Sequence, residues 1–249
     1  MNNIGCGIDI GGSGIKGALV DLDTGELIGE RVRIDTPSPA TPDNVADTCA
    51  QIIQDLGTPE GVAIGIAMPA PLPGGVVPFM ANLDASWEGV HANEFFAERL
   101  GRSVTVLNDA DAAGLAEAVY GVAKDVPGLV IVTTLGTGIG SAFIYNGVLI
   151  PNTELGHLEI DGHNAESQAS AFQRVSQDLS WEEWTGRLQR YYSEVEKLFS
   201  PDLIVVGGGV SKNHMKFLPG LELRAPIVPA GLRNQAGIAG AAVAAAQAA

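Results

Sequence analysis

The sequence contains little cysteine and little positive charge. Cys6 and Cys49 are its two cysteines, too few for a disulfide framework or a cysteine-based zinc site, and we expect a cytoplasmic protein. Lysine and arginine total 14 against 29 acidic residues, which gives a formal charge of −15. Because nucleic acids and anionic membranes are bound through clustered basic residues, we expect neither as a partner.

Long hydrophobic runs are also missing. The chain opens with no secretory signal, and the Ala-rich segment 236–249 is too short to span a membrane. Hydrophobic residues nevertheless make up 46% of the sequence, which is enough to bury a full core. Strand and helix patterns alternate along the chain, and this alternation predicts an α/β fold.

Two common nucleotide-binding motifs are absent. The chain has neither G-x-x-x-x-G-K-[ST] nor a G-x-G-x-x-G that opens a helix, so neither a P-loop nor a dinucleotide fold is indicated. Glycine turns follow three apolar strands instead, at Gly11-Gly12-Ser13, Gly136-Thr137-Gly138 and Gly208-Gly209. Glycine lets backbone N–H groups approach an anion closely, so all three turns are candidate phosphate-binding sites. Ordinary hairpin geometry is the alternative for each.

The first two turns resemble each other. Residues 12–18 and 136–142 share a glycine pattern between apolar strands, which suggests an internal duplication, with chance similarity as the alternative.

Carboxylates stand at strand ends near these turns. Asp9 precedes the first turn, where it either orients hydrated Mg²⁺ against bound phosphates or stabilises the turn. Asn108 and Asp109 lie between a predicted strand, 104–107, and a predicted helix that reaches Tyr120. Asp109 is a candidate general base for a sugar hydroxyl, with Asn108 bonding a second hydroxyl; a helix N-cap is the alternative role of Asp109.

A polar segment follows the second turn. Glu154 and His157 offer an acceptor and a donor to sugar hydroxyls, with Glu159 and Glu166 close behind. A solvated acidic loop is the alternative. Metal binding by His157 and His163 is a competing hypothesis, although their spacing differs from the helical H-E-x-x-H pattern.

Together these segments resemble the ROK family of sugar kinases and repressors over essentially the whole chain. Four motifs occur in the family's order: residues 9–16 (DIGGSGIK), 108–111 (NDAD), 135–140 (LGTGIG) and 154–157 (ELGH). The resemblance implies that the first and third motifs bind phosphate, with Lys16 included. It also implies that Asp109 is the catalytic base. The implied sugar ligands are Asn108, Asp109, Glu154 and His157.

The resemblance further implies two ribonuclease-H-like lobes of the actin-like ATPase type, with a hexose in a central cleft. We expect a small lobe from residues 1–107 plus 235–249, to which the last helix returns, and a large lobe from residues 108–234. The implied cofactor is Mg²⁺. Family members often dimerise, so monomer and homodimer both stay open.

One segment departs from the family pattern. Most members follow the sugar motif with a cysteine-rich zinc loop that ends in a sugar-binding Glu, whereas residues 162–167 (GHNAES) contain no cysteine. We therefore expect no structural zinc, and we assign Glu166 to the sugar site. This loop and residues 179–184 and 198–201 resemble the family's polyphosphate-dependent glucokinase branch. That branch implies phosphoryl transfer from polyphosphate to the 6-hydroxyl of glucose, with ATP as donor and mannose as acceptor left open.

Two other functions compete with this one. A repressor needs an N-terminal helix-turn-helix, and a first strand starting at Ile4 leaves no room for it, so we expect an enzyme. An ATP-dependent kinase for another hexose or an N-acylhexosamine stays open, because sugar pockets look alike in sequence. Trp181 and Trp184 are typical of the buried face of an amphipathic helix. Lys212, His214 and Lys216 line either a phosphate-chain path or a solvated face.

Overall fold

The computed structural model describes residues 3–248, which contain twelve β-strands and seven α-helices. The strands are β1 (Ile4–Ile10), β2 (Ile15–Asp21), β3 (Leu27–Ile34), β4 (Ile64–Met68), β5 (Val104–Asn108), β6 (Leu129–Leu135), β7 (Ile139–Tyr145), β8 (Val148–Ile150), β9 (Glu159–Ile160), β10 (His163–Asn164), β11 (Leu203–Gly207) and β12 (Ile227–Pro229). The helices are α1 (Pro42–Asp55), α2 (Ala92–Leu100), α3 (Asp109–Tyr120), α4 (Glu166–Ala169), α5 (Ala171–Ser176), α6 (Trp181–Phe199) and α7 (Ala236–Ala248).

The chain divides into two compact units, each with its own sheet. The first comprises the described parts of Met1–Ala116 and Gln235–Ala249, and the second is Glu117–Asn234. Their sheets run β3-β2-β1-β4-β5 and β8-β7-β6-β11-β12. In each sheet the first three strands pair antiparallel, and two further strands add in parallel beside the first. This shared strand order supports the internal duplication that the glycine pattern suggests.

Helix α7 packs directly on the backbone of the first sheet and of α3. A Cβ atom at any of three glycines would overlap a carbonyl oxygen opposite it, so the close approach requires glycine there. The three approaches are Gly7 to Ile238, Gly65 to Ala241 and Gly240 to Ala112. The alanine-rich composition of α7 therefore follows from the short distance between this helix and the sheet.

The start of α1 differs from the sequence-based expectation. Asp43 is of a residue type that predicts a cap at the start of this helix, but Thr41 is the N-cap and its side chain accepts a hydrogen bond from the Asn44 amide. Pro42 explains the shift, because proline is preorganised for the first helical position and needs no partner for a backbone N–H. Asp43 instead lies in the first turn, exposed and 3.5 Å from Arg99.

Two further boundaries also differ. The apolar run over residues 61–67 predicts a strand, but β4 begins only at Ile64, because Gly61 has φ +82° and Val62 closes a turn onto Pro59. The segment 68–87 is rich in proline, glycine and asparagine, which predicts a long loop without regular structure, but it contains short 3₁₀ turns at Pro73–Gly75 and Ala85–Trp87.

The core of the second unit is built around α6, the predicted amphipathic helix. Ser180 and Glu183 form a reciprocal capping box at its start. Trp184 is buried, and its indole N–H donates to the carbonyl of Ala169 at the end of α4. Helix α6 thereby anchors the short helix that carries Glu166. Within residues 3–248 no helix combines the length and the hydrophobicity that crossing a bilayer requires.

Candidate active site

The first glycine turn joins β1 to β2. The Gly11 amide donates to the Gly14 carbonyl at 3.2 Å, which closes the turn. Two side chains hold its carbonyls from outside: the Thr36 hydroxyl donates to the Gly11 oxygen at 2.5 Å, and Arg33 donates to the Ser13 oxygen at 3.0 Å. Gly12 and Ser13 at the tip are exposed, so an anion can reach them.

Asp9 and Lys16 face each other across the same hairpin. They are directly paired in register, and the Lys16 Nζ lies 3.8 Å from the Asp9 carboxylate. Burial raises the pKa of Asp9, while the charges of Lys16 and Arg31 oppose that shift. Gly237, in the first turn of α7, lies so close to Asp9 that a Cβ there would be 3.2 Å from the carboxylate carbon. Asp9 thus lies at a helix N-terminus, which stabilises negative charge.

The donor set around Asp9 fits magnesium. Among the described residues, no group of three or more histidine, cysteine and acidic side chains is arranged to hold a metal ion. Mg²⁺ commonly keeps several waters and is held by one or two carboxylates plus substrate phosphates. A single carboxylate beside an exposed phosphate turn suits that mode. Because the described residues hold no such group of three metal-binding side chains, the hypothesis that His157 and His163 bind a metal has no support there.

Asn108 and Asp109 lie where β5 runs into α3. The buried Asn108 side-chain oxygen accepts from the amides of Ala110 and Asp111, at 2.8 and 3.1 Å. Asn108 is therefore the helix N-cap, and the alternative in which Asp109 is the cap is wrong. Since the Asn108 oxygen is committed, its NH₂ group is what it can offer to a ligand. Asp109 is the first helical residue and is partly exposed.

In the second unit, the other two glycine turns lie together. The Gly136 amide donates to Gly138 at 3.0 Å and closes the turn between β6 and β7. Gly208 has φ +82°, and a Cβ there would overlap the backbone of Leu135. The turn after β11 therefore rests on the start of the turn after β6. Gly136, Thr137 and Gly209 are exposed, and nothing lies within 4 Å of a Cβ built at either glycine. A phosphate-binding loop requires such access.

Glu166 connects the second glycine turn to the sugar motif. Its carboxylate accepts from the Ile139 amide at 3.1 Å. A Cβ at Gly138 would collide with this carboxylate, and one at Gly156 would overlap the Ile139 carbonyl oxygen. Glycine at these two positions is therefore what allows Glu166 to reach the turn.

Glu154 and His157 are brought into the same cluster. The Glu154 carboxylate lies 3.9 Å from His157 Nε2. Burial raises the pKa of Glu154; His157 opposes that shift when it is protonated, and the charge of Glu166 adds to it. Three of the predicted sugar ligands, Glu154, His157 and Glu166, thus lie beside the second glycine turn, whereas Glu159 is an exposed member of β9.

Two residues that sequence reasoning missed hold this cluster. The buried Ser141 hydroxyl on β7 donates to the Thr153 carbonyl at 2.8 Å and accepts from the Leu155 amide at 2.9 Å, and so grips the chain on both sides of Glu154. Asn164 bonds both His157 and Glu166. Neither contact leaves a pattern in the sequence, because each joins residues on different elements.

The basic residues after the third turn have mixed surroundings. Lys216 lies 5.2 Å from the centre of the Trp181 ring, and Arg174 lies 4.0 Å from it. His214 Nδ1 is 3.1 Å from the Ser211 carbonyl, and Lys212 is exposed. A phosphate-chain path along Lys212, His214 and Lys216 stays a prediction.

Two sheets of one strand order, with glycine turns and carboxylates at the strand ends, are the features that a phosphotransferase of the sugar-kinase class requires. The sequence model described as ROK family matches residues 5–171, and the chain belongs to this family. The resemblance drawn from the four motifs is therefore confirmed.

Individual relatives are similar over nearly the whole chain. The polyphosphate glucokinase of Mycobacterium tuberculosis (strain CDC 1551) is 50% identical over 241 residues, which cover 96% of this chain and 90% of that protein. The crystal structure of inorganic polyphosphate/ATP-glucomannokinase from Arthrobacter sp. strain KM is 54% identical, covers 100% of both chains and has a TM-score of 0.94.

A more distant structure shares the fold. The ROK glucokinase of Streptomyces griseus, in complex with glucose and AMPPNP, has a TM-score of 0.82 at 24% identity and covers 98% of this chain and 100% of that one. These structures confirm the predicted α/β class with two lobes of the actin-like ATPase type.

Proposed function

We propose that this protein transfers the terminal phosphoryl group of inorganic polyphosphate, and of ATP, to the 6-hydroxyl of glucose. The observation that carries the proposal is the position of Glu166, whose carboxylate joins a glycine turn to Glu154 and His157. A phosphate loop and a set of hydroxyl ligands are thereby parts of one cluster. The high identity to a polyphosphate glucokinase and to a polyphosphate/ATP-glucomannokinase supports both the donor and the acceptor.

Each residue has a chemical task in this proposal. Asp109 takes the proton of the 6-hydroxyl while that oxygen forms a bond to the terminal phosphorus and the bond to the bridging oxygen breaks. The turn amides hold the phosphate oxygens and stabilise the charge that develops on them. The carboxylates of Glu154 and Glu166 accept hydrogen bonds from sugar hydroxyls, and the Asn108 NH₂ group donates one. Mg²⁺ at Asp9, when bound, supplies further neutralisation of the phosphate charge.

The proposal extends to related properties. Mannose is a second acceptor in it, because the similar Arthrobacter enzyme is a glucomannokinase.

A cytoplasmic location suits two buried, unbridged cysteines, Cys6 and Cys49. The active form is a monomer or a homodimer.

The decisive test measures glucose 6-phosphate formation by the purified protein with Mg²⁺, in separate reactions with nucleotide-free polyphosphate and with ATP. We expect product with both donors. Activity with ATP alone would overturn the polyphosphate part of the proposal. Parallel reactions with mannose, fructose and an N-acylhexosamine test the acceptor, and no phosphorylation of glucose by either donor would overturn the whole assignment.

A further inference from the structure

Asn164 is the last residue of the β9–β10 hairpin, and its side chain bonds two proposed sugar ligands at once. The amide nitrogen lies 2.9 Å from Nδ1 of His157, and the amide oxygen accepts from the Glu166 backbone N–H at 3.2 Å. The backbone carbonyl of Asn164 also accepts from the Ser167 hydroxyl at 2.6 Å. One residue therefore touches the imidazole and the start of the helix that carries Glu166.

These two bonds determine where the His157 proton lies. A backbone N–H can only donate, so the oxygen of the Asn164 amide must face Glu166. Its NH₂ group must then face Nδ1 of His157, and NH₂ can only donate. Nδ1 is therefore an acceptor without a proton, and neutral His157 carries its proton on Nε2. Nε2 is the nitrogen that lies 3.9 Å from Glu154, so it presents a donor next to the Glu154 acceptor.

The hairpin that carries Asn164 is itself held in place. Its turn residues Asp161 and Gly162 have φ +54° and +78°, the geometry of a two-residue type I′ hairpin. Arg190 on α6 donates two hydrogen bonds to the Asp161 carboxylate, both at 2.9 Å. The Ala165 amide donates to the Leu158 carbonyl at 2.9 Å and closes the base of the hairpin. Asn164 is thus presented to His157 on a braced element.

We infer that Asn164 is a positioning residue for glucose: it orients His157 as the Nε2–H tautomer and fixes the first turn of the Glu166 helix. The inference rests on the proposed function, since it takes His157 and Glu166 as sugar ligands. It also gives the cysteine-free loop a task, because the Asn164 side-chain amide donates to His157 and accepts from the Glu166 N–H, and so holds the two ligands that this loop connects.

The test compares wild type with Asn164→Asp and Asn164→Ala. A carboxylate at this position still accepts from the Glu166 amide but cannot donate, so Nδ1 of His157 must take a proton to face it. We expect glucose KM to rise about tenfold in Asn164→Asp, because neutral His157 with its proton on Nδ1 no longer offers a donor at Nε2, and to rise further in Asn164→Ala, which loses both hydrogen bonds; kcat should change less.

A spectroscopic measurement separates positioning from general damage. In histidine-labelled protein, ¹⁵N NMR should show an unprotonated Nδ1 and a protonated Nε2 for His157 in wild type, and a protonated Nδ1 in Asn164→Asp. The His157 signal is assigned by its loss in His157→Gln. The matched control is Asn146→Asp in the β7–β8 turn, where the side-chain oxygen accepts from the Gly128 amide and φ is +50°. This control should change neither the His157 spectrum nor glucose KM.

Two failures are distinguishable. In the first, His157→Gln and Glu166→Gln raise glucose KM as expected, but folded Asn164→Asp keeps the wild-type KM or the wild-type His157 tautomer. That result would overturn the positioning role of Asn164 and leave the sugar site in place. If those two variants also leave glucose KM unchanged, the sugar-site assignment of the proposed function fails, and the role of Asn164 in glucose binding falls with it.

Discussion

Asn108 and Asp109 are adjacent but have different tasks at the start of α3. The Asn108 oxygen is used by two helix amides, which fixes the end of β5 to the helix. Asp109 follows at the first helical position, where the helix dipole stabilises negative charge. An ionised carboxylate is what a general base requires, so this junction suits proton removal from a sugar hydroxyl.

Asp109→Asn should lower kcat for glucose phosphorylation by roughly 10²–10⁴-fold and change glucose KM less than about tenfold. The amide keeps the size of the side chain but cannot take up the proton. Steady-state kinetics with both donors measure the effect, and Asp125→Asn, in an exposed loop, is the matched control. A kcat close to that of wild type would remove Asp109 from this role.

The partly buried Glu154 carboxylate should lower the free energy of unfolding at neutral pH, although it serves sugar binding in the proposed function. Burial raises its pKa, so the folded state binds more protons than the unfolded state as pH rises above the ordinary value of 4.5. The free energy of unfolding therefore falls with rising pH through that interval. Glu154→Gln should raise Tm at pH 7, with an advantage that shrinks towards acidic pH, while glucose KM rises roughly tenfold. Calorimetry and kinetics check both, and a lower Tm at pH 7 would contradict the argument.

Among the elements, those with strong local signals were predictable. The bounds of β1 and β3 can be read from the sequence, because the apolar or alternating residues of each strand end at glycine or turn residues. The β9–β10 hairpin was missed although Asp161-Gly162 is a hairpin signal, because strands of two residues are too short to show alternation.

For the candidate site, the sequence predicts Glu154, His157 and Glu166 as polar residues near a glycine turn, and the structure brings their side chains together there. Their role as sugar ligands stays a prediction. Ser141 and Asn164 act through contacts with segments that the fold brings beside them, and a buried hydroxyl or one amide in a hairpin has no local pattern.

The close packing of α7 requires glycine at position 240, and this requirement can be tested. Gly240→Ala should destabilise the protein by about 1–3 kcal/mol, because the added methyl group overlaps the carbonyl of Ala112. The control is Gly186→Ala in the exposed interior of α6, where nothing lies within 4 Å of a Cβ. Better helix propensity there should stabilise by about 0.5–1 kcal/mol. Chemical denaturation measures both, and equal effects would contradict the close-packing argument.

For the whole molecule, a charge of −15 must be reconciled with a polyanionic donor. Backbone amides and Mg²⁺ bind phosphate without many basic side chains, so few counterions are released on binding. Raising salt from about 50 to about 200 mM at constant free Mg²⁺ should change the KM for polyphosphate less than about tenfold. A protein that makes 6–10 basic phosphate contacts would lose about 10³–10⁵-fold, and a slope that steep in the measured KM would contradict this view of donor binding.

The packing of α7 also orders events during protein synthesis. Strands β1, β4 and β5 leave the ribosome early, yet residues 236–248, which cover their glycines, emerge after the entire second unit. The second unit is one continuous stretch of chain, so all of its residues are synthesised before α7. The first sheet is therefore complete only after α7 has been synthesised and packs on it. A premature stop before residue 236 would therefore remove the helix beside Asp9 and damage a candidate site more than 220 residues earlier in the chain.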